Sequence, residues 1–152
     1  MDTLNNALEE KYPVTTGLLL GLTSTKEEIV NDISNLIDYV KKNSAIQDVI
    51  LQNFRAKKNT LMKNSSEITN DLFLRIIATT RIYAPSHISI QVPPNLSPDI
   101  TIFLKSGIND LGGISPLTID WVNPDHLWPN INELKLDISN TGQVLKKRLP
   151  VY

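Results

Sequence analysis

Apolar residues along this chain recur with two spacings in turn. The stretch VTTGLLLGL (14–22) is a short apolar run bounded by Pro13 and Gly21, and the following TSTKEEIVNDISNLIDYVKKN sets Ile29, Ile33, Leu36, Ile37 and Val40 on one stripe. The first predicts a buried strand and the second an amphipathic helix. Ser24 with Glu27, or Thr25 with Glu28, makes a capping box, in which the hydroxyl takes a first-turn amide and the carboxylate reaches back to the cap amide. Lys41 and Lys42 fall at the negative end of the helix dipole. The pattern then repeats. IQDVILQNF (46–54) predicts a strand, SSEITNDLFLRIIATTRIY (65–83) a helix with Ile68, Leu72, Ile76 and Tyr83 on one side, and HISIQV (87–92) a third strand. SPDITIFLKSG (97–107) predicts a further helix, with Ser97 as N-cap, Pro98 in the first helical position, Asp99 in the first turn and Gly107 as the stop.

Strands alternating with helices imply an α/β fold of about three βα units, over roughly residues 13–107, with parallel strands joined by right-handed crossovers. Beyond Gly113 the regularity fades, as Pro116, Pro124 and Pro129 interrupt the chain. The region from about 108 to 152 therefore forms an irregular loop and C-terminal segment. Within it NINELKLDISNTG (130–142) predicts one more helix ending at Gly142, and QVLKKRLPVY suits strand or coil. The stretch GINDLGGISPLTIDWVNP (107–124) has the composition of a linker. Trp121 and Trp128 flank Pro124, and an indole buries a large area at low conformational cost. They are expected to pin the loop to the sheet, the other reading being stacking on a planar ligand.

The chain's 152 residues suit one domain. With a net charge of −1 and no basic run longer than Lys146-Lys147-Arg148, neither nucleic acid nor an anionic membrane is an expected partner. The start lacks a secretory leader and GLLLGL is far shorter than the roughly 20 apolar residues of a membrane span, so a cytoplasmic protein is expected. There is no cysteine, which excludes a disulfide, a thiolate nucleophile or a Cys-ligated metal centre within this chain. His87 and His126 are the only histidines and have no second ligand at useful spacing, so no metal site is expected. No phosphate-binding glycine loop or nucleophile elbow is present.

In parallel α/β folds, ligand-binding groups gather beyond the carboxyl ends of the strands. Here those positions hold Gly21, then Gln52, Asn53 and Arg55, then Gln91 and Asn95, then Asn109 and Asp110. The amides serve either a ligand or the loop backbone. Arg55 suits a carboxylate or phosphate, or else a salt bridge to a helix. Gly17 and Gly21 allow either a ligand or a neighbouring element to approach the backbone closely.

PVTTGLLLGL, IQDVILQNFRAK, ISIQVPPNL, GINDLGGISPLTIDWVNPDHLWP and LKKRLPVY occur in this order from Pro13 onward. In these stretches the chain resembles the C-terminal half of the first subunit of the deazaflavin-core (FO) synthases, members of the radical S-adenosylmethionine superfamily. The resemblance implies a TIM-like barrel in which a [4Fe–4S] cluster, held by a Cys-rich loop, cleaves S-adenosylmethionine. The resulting radical abstracts hydrogen from a tyrosine–diaminouracil adduct, and ring closure with loss of ammonia gives FO.

A complete barrel takes about 250 residues. The resemblance therefore implies that this chain holds later strands only, that the cluster cysteines lie in an N-terminal half in the same or a separate chain, and that the chain alone is inactive. By the same match Thr16, Gly17 and Gly21 line S-adenosylmethionine, and Gln52, Asn53, Arg55, Gln91, Asn95, Asn109 and Asp110 face the substrate. No acid or base is assigned. Thr23-Ser24-Thr25 replaces a Gly-Glu-Thr of the family, which bears on adenine-side binding, and Lys58-Asn59 replaces a Pro-Gly turn. The second FO synthase subunit, a possible partner, and the futalosine-type enzymes share part of the pattern. A stand-alone α/β binding module is the reading from another class. Half a barrel exposes two strand edges that invite pairing.

Overall fold

The computed structural model describes residues 2–22, 25–97 and 99–152. Among these, β1 (Val14–Leu20), β2 (Ile46–Asn53) and β3 (Ser89–Gln91) form a parallel sheet in the order β1-β2-β3. Helix α1 (Asp2–Glu9), which the pattern does not foretell, precedes β1. Helices α2 (Lys26–Lys42) and α3 (Asn70–Tyr83) connect the strands, α4 (Ile100–Ser106) follows β3, and α5 (Ile131–Asn140) comes last. The fold is α/β, as the alternation predicts, and is compatible with half of a β/α barrel.

Register divides the sheet into two faces. Gly17 lies opposite Ile50, Leu19 opposite Gln52, Asp48 opposite Ser89 and Ile50 opposite Gln91. Since side chains alternate along a strand and parallel partners share a face, Val49, Leu51 and Ile90 point the other way. That second face carries the core, where these three pack with Ile33, Ile37 and Val40 of α2 and with Phe73, Ile76 and Ile77 of α3. Phe73 meets Phe103 of α4 with ring centroids 5.5 Å apart. Among the described residues no helix packs on the first face, and Thr15, Gly17 and Leu19 of β1 are exposed there. Beyond β3 an isolated bridge joins Gln91 to Asp110. The outer edge of β1 has no strand partner among the described residues.

Local chemistry explains where elements begin. Thr25 caps α2 and closes the capping box with Glu28, while Ser24 lies outside the described residues. The predicted 65–83 helix starts only at Asn70, capped by Thr69. Residues 65–69 are irregular instead, and the Glu67 carboxylate is engaged by the Ala56 amide at 2.9 Å and the Arg55 guanidinium at 2.7 Å. The 97–107 helix likewise starts late. Asp99, not Ser97, is its N-cap, accepting from the backbone amide of Thr101 at 3.1 Å and from its hydroxyl at 2.7 Å. Ser97 is buried after a 3-10 turn over Pro94–Leu96, and Pro98 lies outside the described residues. Gly107 ends α4 with φ of 114°, and Asn130 caps α5.

A candidate site at the strand ends

Past the carboxyl ends of β2 and β3 lies a cavity of about 230 Å³. Gln52 and Gln91 reach it from the helix-free face, Asn95 from the 3-10 turn, and Asp120, Asn123 and Trp128 from the long loop. A larger cavity of about 420 Å³ runs between α2 and α3 on the outer side, its floor including Ile33, Ile37, Leu72 and Ile76 and its rim Lys26, Lys41 and Arg75. It lies away from the strand ends, so the smaller, more polar cavity is the better candidate despite its size.

The long loop is held by hydrogen bonds to one carboxylate. Asp120 Oδ2 accepts from Asn95 Nδ2 at 2.9 Å and from Asn123 Nδ2 at 3.0 Å, and its Oδ1 accepts from the Val122 amide at 2.9 Å. Lys57 Nζ donates to the Val122 carbonyl, and a second turn is closed by Ser115 and Thr118, whose hydroxyls lie 2.7 Å apart. The expectation that the two tryptophans pin the loop fails for Trp121, which is 81% exposed. Trp128 is half-buried on the cavity wall. Polar groups fix the loop instead, through Asn95 of the 3-10 turn and Lys57.

Burial pushes the Asp120 carboxyl up, but the hydrogen bonds from Asn123, Asn95 and the Val122 and Asn123 amides outweigh it and leave its pKa below the ordinary carboxylate range. Burial likewise pushes Glu67 up, and its bonds to Arg55 and Ala56 bring it below that range. A carboxylate depressed in the folded state stabilises it above its unfolded pKa, about 4 for these groups, and that contribution is lost as pH falls through the folded value. Acidification below about pH 4 is therefore expected to loosen the 115–128 loop before the helices melt. Trp128 fluorescence followed against helical circular dichroism checks this; coincident transitions would contradict it.

The structure separates the sequence-predicted residues into groups. Gln52, Gln91 and Asn95 line the cavity together. Asn53 is on the helix side, buried, with Nδ2 donating to the Leu96 carbonyl at 3.2 Å. Arg55 Nη2 donates to the same carbonyl at 2.7 Å while Nη1 pairs with Glu67, which lies in the loop before α3 and not on a helix. Asn109 Oδ1 accepts from the Ile90 amide and from Arg81 Nη2, each at 2.8 Å, tying the sheet edge to α3. Asp110 accepts from the Gly112 amide at 2.7 Å and from Arg148. Thr16 falls on the helix-facing parity, half-buried, whereas Gly17 is exposed on the other face. Gly21 ends β1 with φ of 102°.

Gly112 answers for part of the glycine-rich loop. Its φ is 68°, and a Cβ there would fall 1.9 Å from Gln91 Nε2, so the glycine makes room for the Gln91 amide. Asp120, Asn123, Arg148 and Asp48 were not singled out from the sequence. An Asp three residues before an Asn, ahead of a proline, was the available signal for the first two, and a lone Asp inside the apolar IQDVIL was the signal for Asp48. Two cavity-lining residues keep a buried polar atom with no partner among the described residues: the acceptor Asn95 Oδ1 and the donor Trp128 Nε1. Buried polar atoms are nearly always paired in a complete site.

No helix among the described residues is long and apolar enough to cross a membrane, and no group of three or more His, Cys, Asp or Glu gathers there to hold a metal. No family model matches the chain. Individual proteins do, and over its whole length. It is 44% identical to the 7,8-didemethyl-8-hydroxy-5-deazariboflavin synthase of Methanocaldococcus jannaschii across 100% of this chain and 42% of that protein. The synthase of the same name from Methanococcus aeolicus is 44% identical over 98% of this chain and 42% of its own length, and that of Methanopyrus kandleri 40% over 100% and 46%. The chain thus spans somewhat under half the length of the curated relatives it matches. Along its whole length the chain is similar to a segment, somewhat under half, of the 7,8-didemethyl-8-hydroxy-5-deazariboflavin synthases.

Proposed function

We propose that this chain is the C-terminal part of a radical S-adenosylmethionine synthase barrel that forms the deazaflavin FO in the cytoplasm, and that it supplies much of the substrate wall. The observation that carries this is the strand-end cavity with an unpartnered buried donor and acceptor, in a chain similar end to end to proteins of that name. A cavity of about 230 Å³ is below the roughly 300–1,000 Å³ of a complete ligand site. It takes one polar ring of the tyrosine–diaminouracil adduct, and the rest of the adduct extends over the helix-free face. Asn95 Oδ1 and Trp128 Nε1 meet an amide edge of that ring, and the Gln52 and Gln91 amides orient it. Asn53, Arg55, Asn109 and Asp110 act one step back, holding the wall.

The iron–sulfur cluster does not fit this chain, which has no cysteine; its ligands belong to the N-terminal half, in the same polypeptide or another. S-adenosylmethionine, when bound, supplies the hydrogen-abstracting chemistry. On this chain its neighbours are the bare backbone at Gly17 of β1 and at Gly21 just after it, with Thr16 contributing through its main chain. The 152 residues alone are inactive, and the open β1 edge receives the missing strands, which close the helix-free face into the barrel interior. The second synthase subunit remains a further partner in this proposal.

The test is a transplant. This chain replaces the matching segment of the Methanocaldococcus jannaschii synthase, and the product formed from S-adenosylmethionine and the adduct is followed by mass spectrometry. Deazaflavin formation with loss of ammonia is expected. A folded, cluster-loaded chimera that makes no deazaflavin overturns the proposal and favours a binding module.

A further inference from the structure

The irregular tail crosses the helix-free face near the amino ends of the strands. Arg148 Nη2 lies 3.1 Å from Asp48 Oδ2, and its Nε donates to Asp110 Oδ2. Tyr152 places its ring beside the guanidinium, with the Arg148 Cζ 4.5 Å from the ring centroid, and its hydroxyl donates to Ser89 Oγ at 2.6 Å. The Asp48 side chain is 1% exposed and that of Asp110 9%. Arg148 is the cation paired with each among the described residues. A planar guanidinium can hold two carboxylates at once through different nitrogens; an ammonium group is a point charge. From Asp110 the contacts continue to the cavity: its Oδ1 accepts from the Gly112 amide at 2.7 Å, and Gly112 packs against the Gln91 amide that lines the wall.

We infer that Arg148 is a positioning residue, which by clamping Asp48 to Asp110 fixes the 110–113 turn and hence the setting of Gln91 in the cavity wall. This rests on the reading that the cavity takes substrate, but its structural half can be tested without substrate. In the 152-residue chain, R148Q is expected to speed hydrogen exchange of the Gly112 amide about tenfold or more and to shift the Gln91 side-chain amide resonances, with core amides such as Leu51 and Ile77 unchanged. R148K, whose single ammonium nitrogen would have to serve both carboxylates, should rescue only partly. In the transplanted synthase, R148Q is expected to raise KM about tenfold with kcat little changed, the pattern of lost ground-state positioning.

Unaltered Gly112 and Gln91 signals overturn the inference, as does a uniform loss of protection across the core, which would make Arg148 a stability element only. A local change with KM unmoved overturns its role in the site. Absence of product from the unmutated transplant overturns the proposed function instead, and the exchange result still decides whether Arg148 sets the turn.

Discussion

Replacing Asp120 with alanine is expected to release the long loop and open the strand-end cavity while the helices stay folded. The carboxylate gathers Asn95, Asn123 and the Val122 amide within 3.0 Å, and Asn123 is itself buried. Removing the acceptor strands those donors. A buried unsatisfied group costs about 1–3 kcal/mol, and hydrogen bonds to a charged partner are the stronger ones. Asp120 is itself partly exposed, so water recovers some of the loss and about 2–3 kcal/mol is expected. Asp120→Asn tests the charge separately: it keeps one acceptor for Val122 but sets an amine against the amides of Asn95 and Asn123. It should fall between the native protein and the alanine variant. Urea midpoints give the stability change, and hydrogen exchange at Val122 and Asn123 gives its location. Equal protection of both amides in Asp120→Ala would refute the hub.

The framework of the fold is legible in the sequence because each element is specified locally. The strand VTTGLLL, the stripe of Ile33, Ile37 and Val40, the Thr25–Glu28 box and the Gly107 stop are all read within a few residues and all appear. Misjudged boundaries lie where two local signals compete and a distant partner decides. Glu67 joins the Arg55 loop instead of the first turn of α3, and Asp99 displaces Ser97 as cap because its carboxylate takes both the amide and the hydroxyl of Thr101.

The site was less legible for the same reason. Gln52, Gln91 and Asn95 follow from the rule about strand ends, but Asp120 meets Asn95 across 25 positions and Arg148 meets Asp48 across 100. No period or spacing reports such pairs. Trp121 shows the converse error, since an aromatic in a proline-flanked loop suggests an anchor, and here polar bonds fix the loop and leave that ring outside. Leu117 and Leu127 of the same loop are exposed as well.

Gly17→Ala is expected to be the most destabilising small substitution of those considered. A Cβ at Gly17 would fall 2.0 Å from the Ile50 carbonyl oxygen and within 2.9 Å of two other backbone atoms of the same residue. Backbone held in a parallel ladder cannot swing aside as the tip of a side chain can, so β1 must part from β2. Overpacking a methyl group costs about 1–3 kcal/mol and sometimes more; a collision with backbone belongs at the upper end of that range. Gly113→Ala is the matched control, because a Cβ there meets nothing within 4 Å, and it should change stability by less than about 0.5 kcal/mol. The pair also decides what Gly17 is for. If its bareness serves the close approach of β1 to β2, Gly17→Ala loses stability in the chain alone, with no cofactor present. If it serves S-adenosylmethionine only, Gly17→Ala folds as stably as Gly113→Ala, and its defect appears only as weakened cofactor binding in the transplanted synthase. The 2.0 Å collision favours the first outcome, and a urea midpoint for Gly17→Ala equal to that of the native chain would sink it.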